Sequence, residues 1–495
     1  MRSIALLVII LFMTSQGVAQ NKFADSLRLQ VGSQVQVASE GFQPLWSKAN
    51  RFGMASNKQF DQITWMEVSN SHHLGTMRLL SDSASPLQLS YGATVFNAEH
   101  YDRVVLQQGF AQLKYKEWFI RGGRHRDLWD DLDPELSMGS LGTSGNALPI
   151  PKITLGIDDY INIPFTKGTL QFKGMIGHGW LGDNRFMESW LHEKSFYGRI
   201  NLGKWKPYGG VQHYTEWGGQ RPSENIYLDR SFKGFLDVLF VQEANDGSLP
   251  TEEELAGRRP NRAGDQRGVA ELGVYYENEK AKVHVYNQTP FESGKGVDIR
   301  NMDRFVGLHI VNKNEHSILR DIVAEFIYTK QMEDFGGSEM QSYYNNGPMK
   351  TGWEYEQLVI GNPLFTNREG ASNYLPTQPY NWNGTEQIPG NANIINNRLV
   401  GGNIATRVKL NETWRLRAKL TGVMNYGARN FEGFYGNGEG LFQTHALLEV
   451  NYRRGQWLFR GNVAGDFGEL YENVGGSLGV QYSLERISNP EKINR

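Results

Sequence analysis

Apolar and polar residues alternate along most of this chain with a period of two. Leu29, Val31, Ser33, Val35 and Val37 interleave with Gln30, Gly32, Gln34 and Gln36. The pattern returns in Leu170–Ile176 around Gln171 and Lys173, and in Ala281–Val285 around Lys282 and His284. Trp414–Leu420 carries it around Arg415, Arg417 and Lys419, and Trp457–Val463 around Arg460 and Asn462. Successive side chains of an extended strand point to opposite faces, so each stretch predicts a strand with one apolar and one polar face. Matching this template gives roughly 16–20 strands, each about 8–12 residues long, which suits tilted strands crossing a bilayer. Lys and Arg on every second residue can face a water-filled lumen, but the outer face of a soluble sandwich also tolerates them. The number of such strands, with no helical stretch of comparable strength, favours the barrel.

The connections fall into two classes. Tight turns are expected at Glu277–Lys280, Asn411–Glu412 and Arg453–Gln456. Long polar stretches lie at about 125–150, 179–192, 217–232, 242–266, 329–351 and 362–398, and Thr251–Leu255 could form one helical turn within its loop. Short turns at one end and long loops at the other is the outer-membrane arrangement. Val480, Tyr482 and Leu484 form the expected closing strand, although the chain does not end on an aromatic residue. The fold class is therefore all-β: a transmembrane antiparallel outer-membrane β-barrel with long extracellular loops.

The N-terminus reads differently. Arg2, the apolar run Ile4–Met13 and the small residues Gly17-Val18-Ala19 form a secretory signal peptide over 1–19, leaving 20–495 as a single barrel domain. The apolar run is too short for a spanning helix. The chain has no Cys, which excludes a disulfide framework and Cys-ligated metal. Removing the signal lowers Lys+Arg from 51 to 50 against 53 Asp+Glu, a net charge of −3, with no polyanion-binding excess and hence no nucleic-acid partner. Mean hydropathy is −0.50, yet aromatics reach 12% and Gly numbers 56. A barrel keeps mean hydropathy low because half of each strand faces water. These features place the protein in the outer membrane of a Gram-negative cell, in contact with outer-membrane lipid.

Candidate chemistry concentrates in the loops. Between Trp118 and Lys152 a cationic knot (Arg121, Arg124, His125, Arg126) meets Asp127, Asp130, Asp131 and Asp133, and a nearly uncharged Gly/Ser/Asn/Pro segment follows. Opposite charges so close in sequence tend to satisfy one another, which leaves the segment around Asn146 as the better ligand surface. Gly139, Gly142 and Gly145 lack the Lys-Ser/Thr of a phosphate loop. His178, His192 and His213 select no partner Ser, and His72-His73 point to opposite faces of a strand, so no catalytic residue, metal site or cofactor is assigned. Trp180, Trp190, Trp217, Tyr343, Tyr344, Trp353 and Trp382 are either interface-girdle residues or platforms for sugar rings. Trp217 and Trp353 stand out because flanking glycines leave a ring face open.

Several segments, taken in order, resemble the capsule assembly Wzi family in its Bacteroidetes form. They are Pro44-Leu45-Trp46 with Asn50–Gly53; Gly123-Arg124; Ser144–Ala147 through Pro149–Pro151; and Gly177–Gly179. Leu191–Ser195, Tyr208–Gly210 with His213 and Trp217–Gly219, Tyr343–Gly347, and Gly352–Tyr355 leading to Ile360–Leu364 complete the set. The resemblance implies an 18-stranded barrel acting as a lectin, whose outward loops hold capsular polysaccharide or exopolysaccharide at the cell surface without covalent chemistry. Weak, repeated sugar contacts suit such a role, since many units acting together hold a polymer. Enterobacterial members carry a periplasmic helical bundle before the barrel; here the chain runs quickly into strands. The candidate polysaccharide-binding residues are Arg124, Asn146, Trp217, Tyr344 and Trp353. The alternative is a diffusion porin for small polar solutes, which the charged lumen faces also fit. A barrel hydrolase would need a nucleophile–base pair that the sequence does not single out.

Overall fold

A computed structural model describes residues 26–74, 87–101, 103–182, 185–221, 226–242, 262–335, 340–379 and 392–485. The expected signal peptide, the helical turn at Thr251–Leu255 and Trp382 lie outside these residues.

Eighteen antiparallel strands close into one sheet. In chain order they are β1 (Arg28–Ala38), β2 (Phe60–His73), β3 (Leu87–Asn97), β4 (Val105–Tyr115), β5 (Trp118–Arg124) and β6 (Lys152–Asn162). They continue with β7 (Leu170–Trp180), β8 (Trp190–Ile200), β9 (Trp205–Trp217), β10 (Asp265–Glu277), β11 (Ala281–Phe291) and β12 (Arg304–Asn312). The last six are β13 (Leu319–Tyr328), β14 (Leu399–Lys409), β15 (Trp414–Asn425), β16 (Leu441–Arg454), β17 (Trp457–Gly468) and β18 (Asn473–Glu485). Each pairs with its chain neighbours, and β18 returns to β1 over Arg28↔Glu485 to Ala38↔Gly475. The closing strand is thus the one expected around Tyr482, and closure leaves no free edge to solvate inside a membrane.

The period-two pattern sorts the two faces of the wall. Val37, Phe196, Leu272, Ile404, Val463 and Leu478 point outward and are more than half exposed. Their neighbours Gln36, Glu271, Lys419 and Asn462 point inward and are buried. Tyr115, Trp118, Trp205, Trp414 and Trp457 ring the short-turn end on the outside, the position of an interface girdle.

The short turns sit where expected, at 278–280, 410–413 and 455–456. The loop end differs in detail. The stretches expected at 217–232 and 242–266 belong to one connection, and its intervening apolar residues form an α-helix (Phe232–Leu239) capped by the Ser231 side chain accepting from the Gly234 amide. Phe232, Phe235, Leu236 and Leu239 recur at helical spacing, which a strand would scatter over both faces. Likewise 329–351 and 362–398 belong to one connection between β13 and β14. The residues between these two stretches, 352–361, enter the barrel.

Candidate functional site

Three connections at the loop end fold inward and fill the lumen. The first, between β1 and β2, carries the single helical turn Leu45–Lys48. Its Leu45 amide donates to Asp466 Oδ2 on β17 (2.8 Å). Lys419 Nζ of β15 lies 3.3 Å from the centre of the Trp46 ring, a cation–π contact strengthened by its exclusion of water.

The second is the segment between β5 and β6. It descends far enough for Asp131 to accept from Lys173 near the start of β7 (2.8 Å), and for Tyr275 near the end of β10 to donate to the same carboxylate. Asp133 pairs with Arg407 of β14, which also meets Asp321 (3.2 Å). The chain then climbs: the Met138 amide donates to Glu325 Oε2 (2.7 Å) and Ser140 Oγ to Gln288 Oε1 (3.1 Å). Below this plug the lumen opens to the short-turn end as a vestibule of about 370 Å³ lined by Asp158, Lys173, Arg199, Lys206, Glu277 and Lys282.

The charged knot therefore does more than satisfy itself. Arg121 and His125 do converge on Asp127. Arg126, however, reaches Glu67 of β2 (2.8 Å) and Gln107 (2.7 Å), while Asp131 and Asp133 bind the opposite wall. Sequence neighbours of opposite charge are separated because the wall offers buried partners in fixed positions. Burial alone would raise the Asp127 carboxyl, but Lys152, His125 and Arg121 hold it well below the usual range. Among the described residues Asp130 has no such cation. Burial, reinforced by the nearby Glu271 carboxylate, pushes it up to about 7.

The third inward connection carries Tyr343 to Phe365. Within it Glu354–Tyr355 and Leu358–Val359 form a two-residue hairpin ladder. Four of the five candidate residues converge on this hairpin. Trp353 precedes it, only 1% exposed, with Nε1 donating to Gly142 O (2.7 Å) and its ring packed on Tyr214 and beneath Arg267. Tyr344, 4% exposed, donates from its hydroxyl to Leu141 O (2.7 Å). Asn146 Nδ2 donates to Val359 O (2.9 Å). Arg124, at the top of β5, donates to the Tyr355 hydroxyl (2.8 Å) and lies over its ring.

The open ring faces expected for Trp217 and Trp353 are not found. Gly352 uses its freedom at φ +69° to pass close to the Tyr344 carbonyl, which buries the neighbouring indole. Trp217 is 2% exposed and stands apart from the other four, against Trp190 and the helix residue Phe235. A glycine beside a tryptophan marks close backbone approach as readily as an exposed ring.

Sequence reasoning missed the hairpin tip. Glu356 and Gln357 both adopt positive φ, +50° and +66°, the arrangement of a type I′ turn that ordinarily selects Asn-Gly. Gln357 is exposed. Beside Glu356 lie Arg103 (3.9 Å), itself strongly exposed, and the partly buried Tyr101. Two non-glycine residues held in the left-handed region by a buried frame are a strained, presented feature of the kind that gathers at ligand sites. The Glu-Gln pair carries no turn signature, which is why no signal in the chain marks it.

A closed 18-stranded barrel with an outward apolar belt, an aromatic girdle, and β1 starting and β18 finishing on the short-turn side is an outer-membrane β-barrel protein. Among solved structures it is similar to Wzi of Escherichia coli, an outer-membrane protein involved in group 1 capsule assembly and a carbohydrate-binding β-barrel. That match has a TM-score of 0.56 at 11% identity and covers 96% of this chain and 87% of that one. The chain thus has a Wzi-like fold. Weaker matches include Acinetobacter baumannii OccAB4 (TM-score 0.44, 11% identity, covering 94% and 100%) and the outer-membrane channel DcaP of the same organism (0.40, 10%, 92% and 96%). No family model and no curated protein matches this chain.

Proposed function

We propose that this protein is a non-enzymatic outer-membrane lectin that binds and organises capsular polysaccharide or exopolysaccharide at the cell surface. The observation that carries the reading is the hairpin Glu354–Val359. It is seated on the plug by Asn146, Tyr344 and Trp353, braced from the wall by Arg124, and turned outward at Glu356-Gln357. In this arrangement Tyr344, Trp353 and Asn146 act as the frame, and sugar meets the rim formed by Arg124, Tyr101, Arg103 and the hairpin tip. Guanidinium and amide groups in that mix offer the donors and acceptors that hydroxyl-rich ligands require. Trp217 belongs to the outer wall and takes no part in this rim. The carbohydrate binding of the Escherichia coli barrel with the same fold supports the reading.

The test is binding of purified protein to polysaccharide extracted from the producing cell's own surface, paired with capsule imaging in a deletion strain. Absence of binding together with an unchanged surface layer overturns it. A second reading, a diffusion porin for small polar solutes, rests on the charged vestibule below the plug. It requires steady conductance in planar bilayers, which the ion-paired plug opposes.

A further inference from the structure

The wall carries a polar window on its lipid side. On β7–β10 the inward positions are marked by Lys173, Glu193, Gln212 and Arg267, all buried in the lumen network. The intervening positions face outward, and near the loop end they are His178, His192, Lys194, His213, Thr215 and Gln266. These are contiguous: His178 pairs in register with His192, His192 with Thr215, Lys194 with His213, and Thr215 with Gln266. Below them on the same strands the outward face is apolar and open, as at Phe196 (57% exposed) and Leu272 (67%), yet His192 and Thr215 are fully buried.

The cover is the helix Phe232–Leu239, which lies against the outside of the barrel. Phe235 packs edge-on to His178 and His192, with ring centroids 6.2 and 5.6 Å away, and Val238 joins Trp217 in one apolar cluster. Lys194 Nζ donates to the Leu239 carbonyl, placing a cation at the helix C-terminus, where the backbone carbonyls lack partners. At the outer edge of the helix Phe232, stacked on Phe235 (ring centroids 6.3 Å), is 75% exposed, and Phe240 just beyond its end is 64% exposed.

We propose that this helix is a membrane-seated cover: it shields the polar window from lipid and rests its own phenylalanines among the acyl chains of the outer leaflet. The helix sits beside the lipid-facing wall at the level of Trp180 and Trp190, the loop-end counterparts of the girdle. Its exposed aromatics continue the apolar belt formed below them by Phe196 and Leu272. Lys233 and Asp237 pair with each other at the helix surface (2.6 Å), the amphipathic division of an interfacial helix.

The chain has no cysteine, so a single spin label reports one position. Phe232→Cys and Phe240→Cys, nitroxide-labelled and reconstituted into phosphatidylcholine vesicles, are compared with Leu272→Cys in the belt and Phe165→Cys on a fully exposed turn. Collision with oxygen several-fold above collision with a water-soluble nickel chelate, as at position 272, is the expected result. A chelate-dominated response like that at position 165 overturns the proposal. Inaccessibility to both reagents also overturns it, and assigns the face to a second copy of the chain.

Discussion

Trp353→Ala separates the frame from the barrel. The indole belongs to no barrel strand, is 1% exposed, and makes one buried hydrogen bond to Gly142 O at 2.7 Å besides its contacts with Tyr214 and Arg267. Truncating a buried Trp to Ala costs about 3–5 kcal/mol, a range that absorbs the about 1–3 kcal/mol for a buried acceptor left unpaired. The wall ladders are untouched, so this penalty falls on the seating of the 341–367 segment. At roughly 1.4 kcal/mol per tenfold, the unseated form gains about a hundredfold or more. Expected outcomes are a folded, heat-modifiable barrel, faster amide hydrogen exchange over 354–359, and loss of polysaccharide binding by co-sedimentation. Trp353→Phe retains most of the packing while losing the hydrogen bond, and it keeps most of the binding. If Trp353→Ala loosens the hairpin in exchange yet binds polysaccharide like wild type, the hairpin is not the ligand surface and the proposed rim is wrong.

Other perturbations probe the same construction. Arg124→Ala removes the guanidinium bond to the Tyr355 hydroxyl; at about 1.5–3 kcal/mol for a hydrogen bond to a charged group, binding falls tenfold or more, read by titration, with little change in melting temperature. Gln357→Gly relieves a non-glycine φ of +66° and should raise hairpin protection by about 1 kcal/mol in hydrogen exchange, while weakening polysaccharide binding through loss of the exposed amide. Asp130 gives the pH dependence. Its folded-state value near 7 lies above the ordinary 3.8, so its contribution to plug stability is full below about pH 4 and is lost as pH rises through 7. At roughly 1.4 kcal/mol per pH unit, the ionised carboxylate costs the plug about 4 kcal/mol. Protection factors over 128–141, exchange rates divided by the intrinsic base-catalysed rate at each pH, should therefore fall from pH 5 to pH 8 in the wild type and stay flat in Asp130→Asn; equal pH dependence in both would refute this account.

The alternation of Val35 and Val37 with Gln34 and Gln36, repeated from β1 to β18, already determined the wall: its inward and outward faces, the short turns and the outer-membrane setting. Period two is a local property, and a membrane barrel needs little else, because every backbone group is satisfied by the neighbouring strand. The destination of the loops was not local. Asn146 meets Val359, Tyr344 meets Leu141, and Arg407 meets Asp133, contacts between residues far apart in the chain that no spacing announces. Trp217 and Trp353 carry similar glycine neighbours, yet one packs outside the barrel under a helix and the other inside beneath Arg267. The residue pattern states how much of an aromatic ring is to be buried. Which side of the wall buries it depends on where the closed barrel leaves space, and only the tertiary structure decides that.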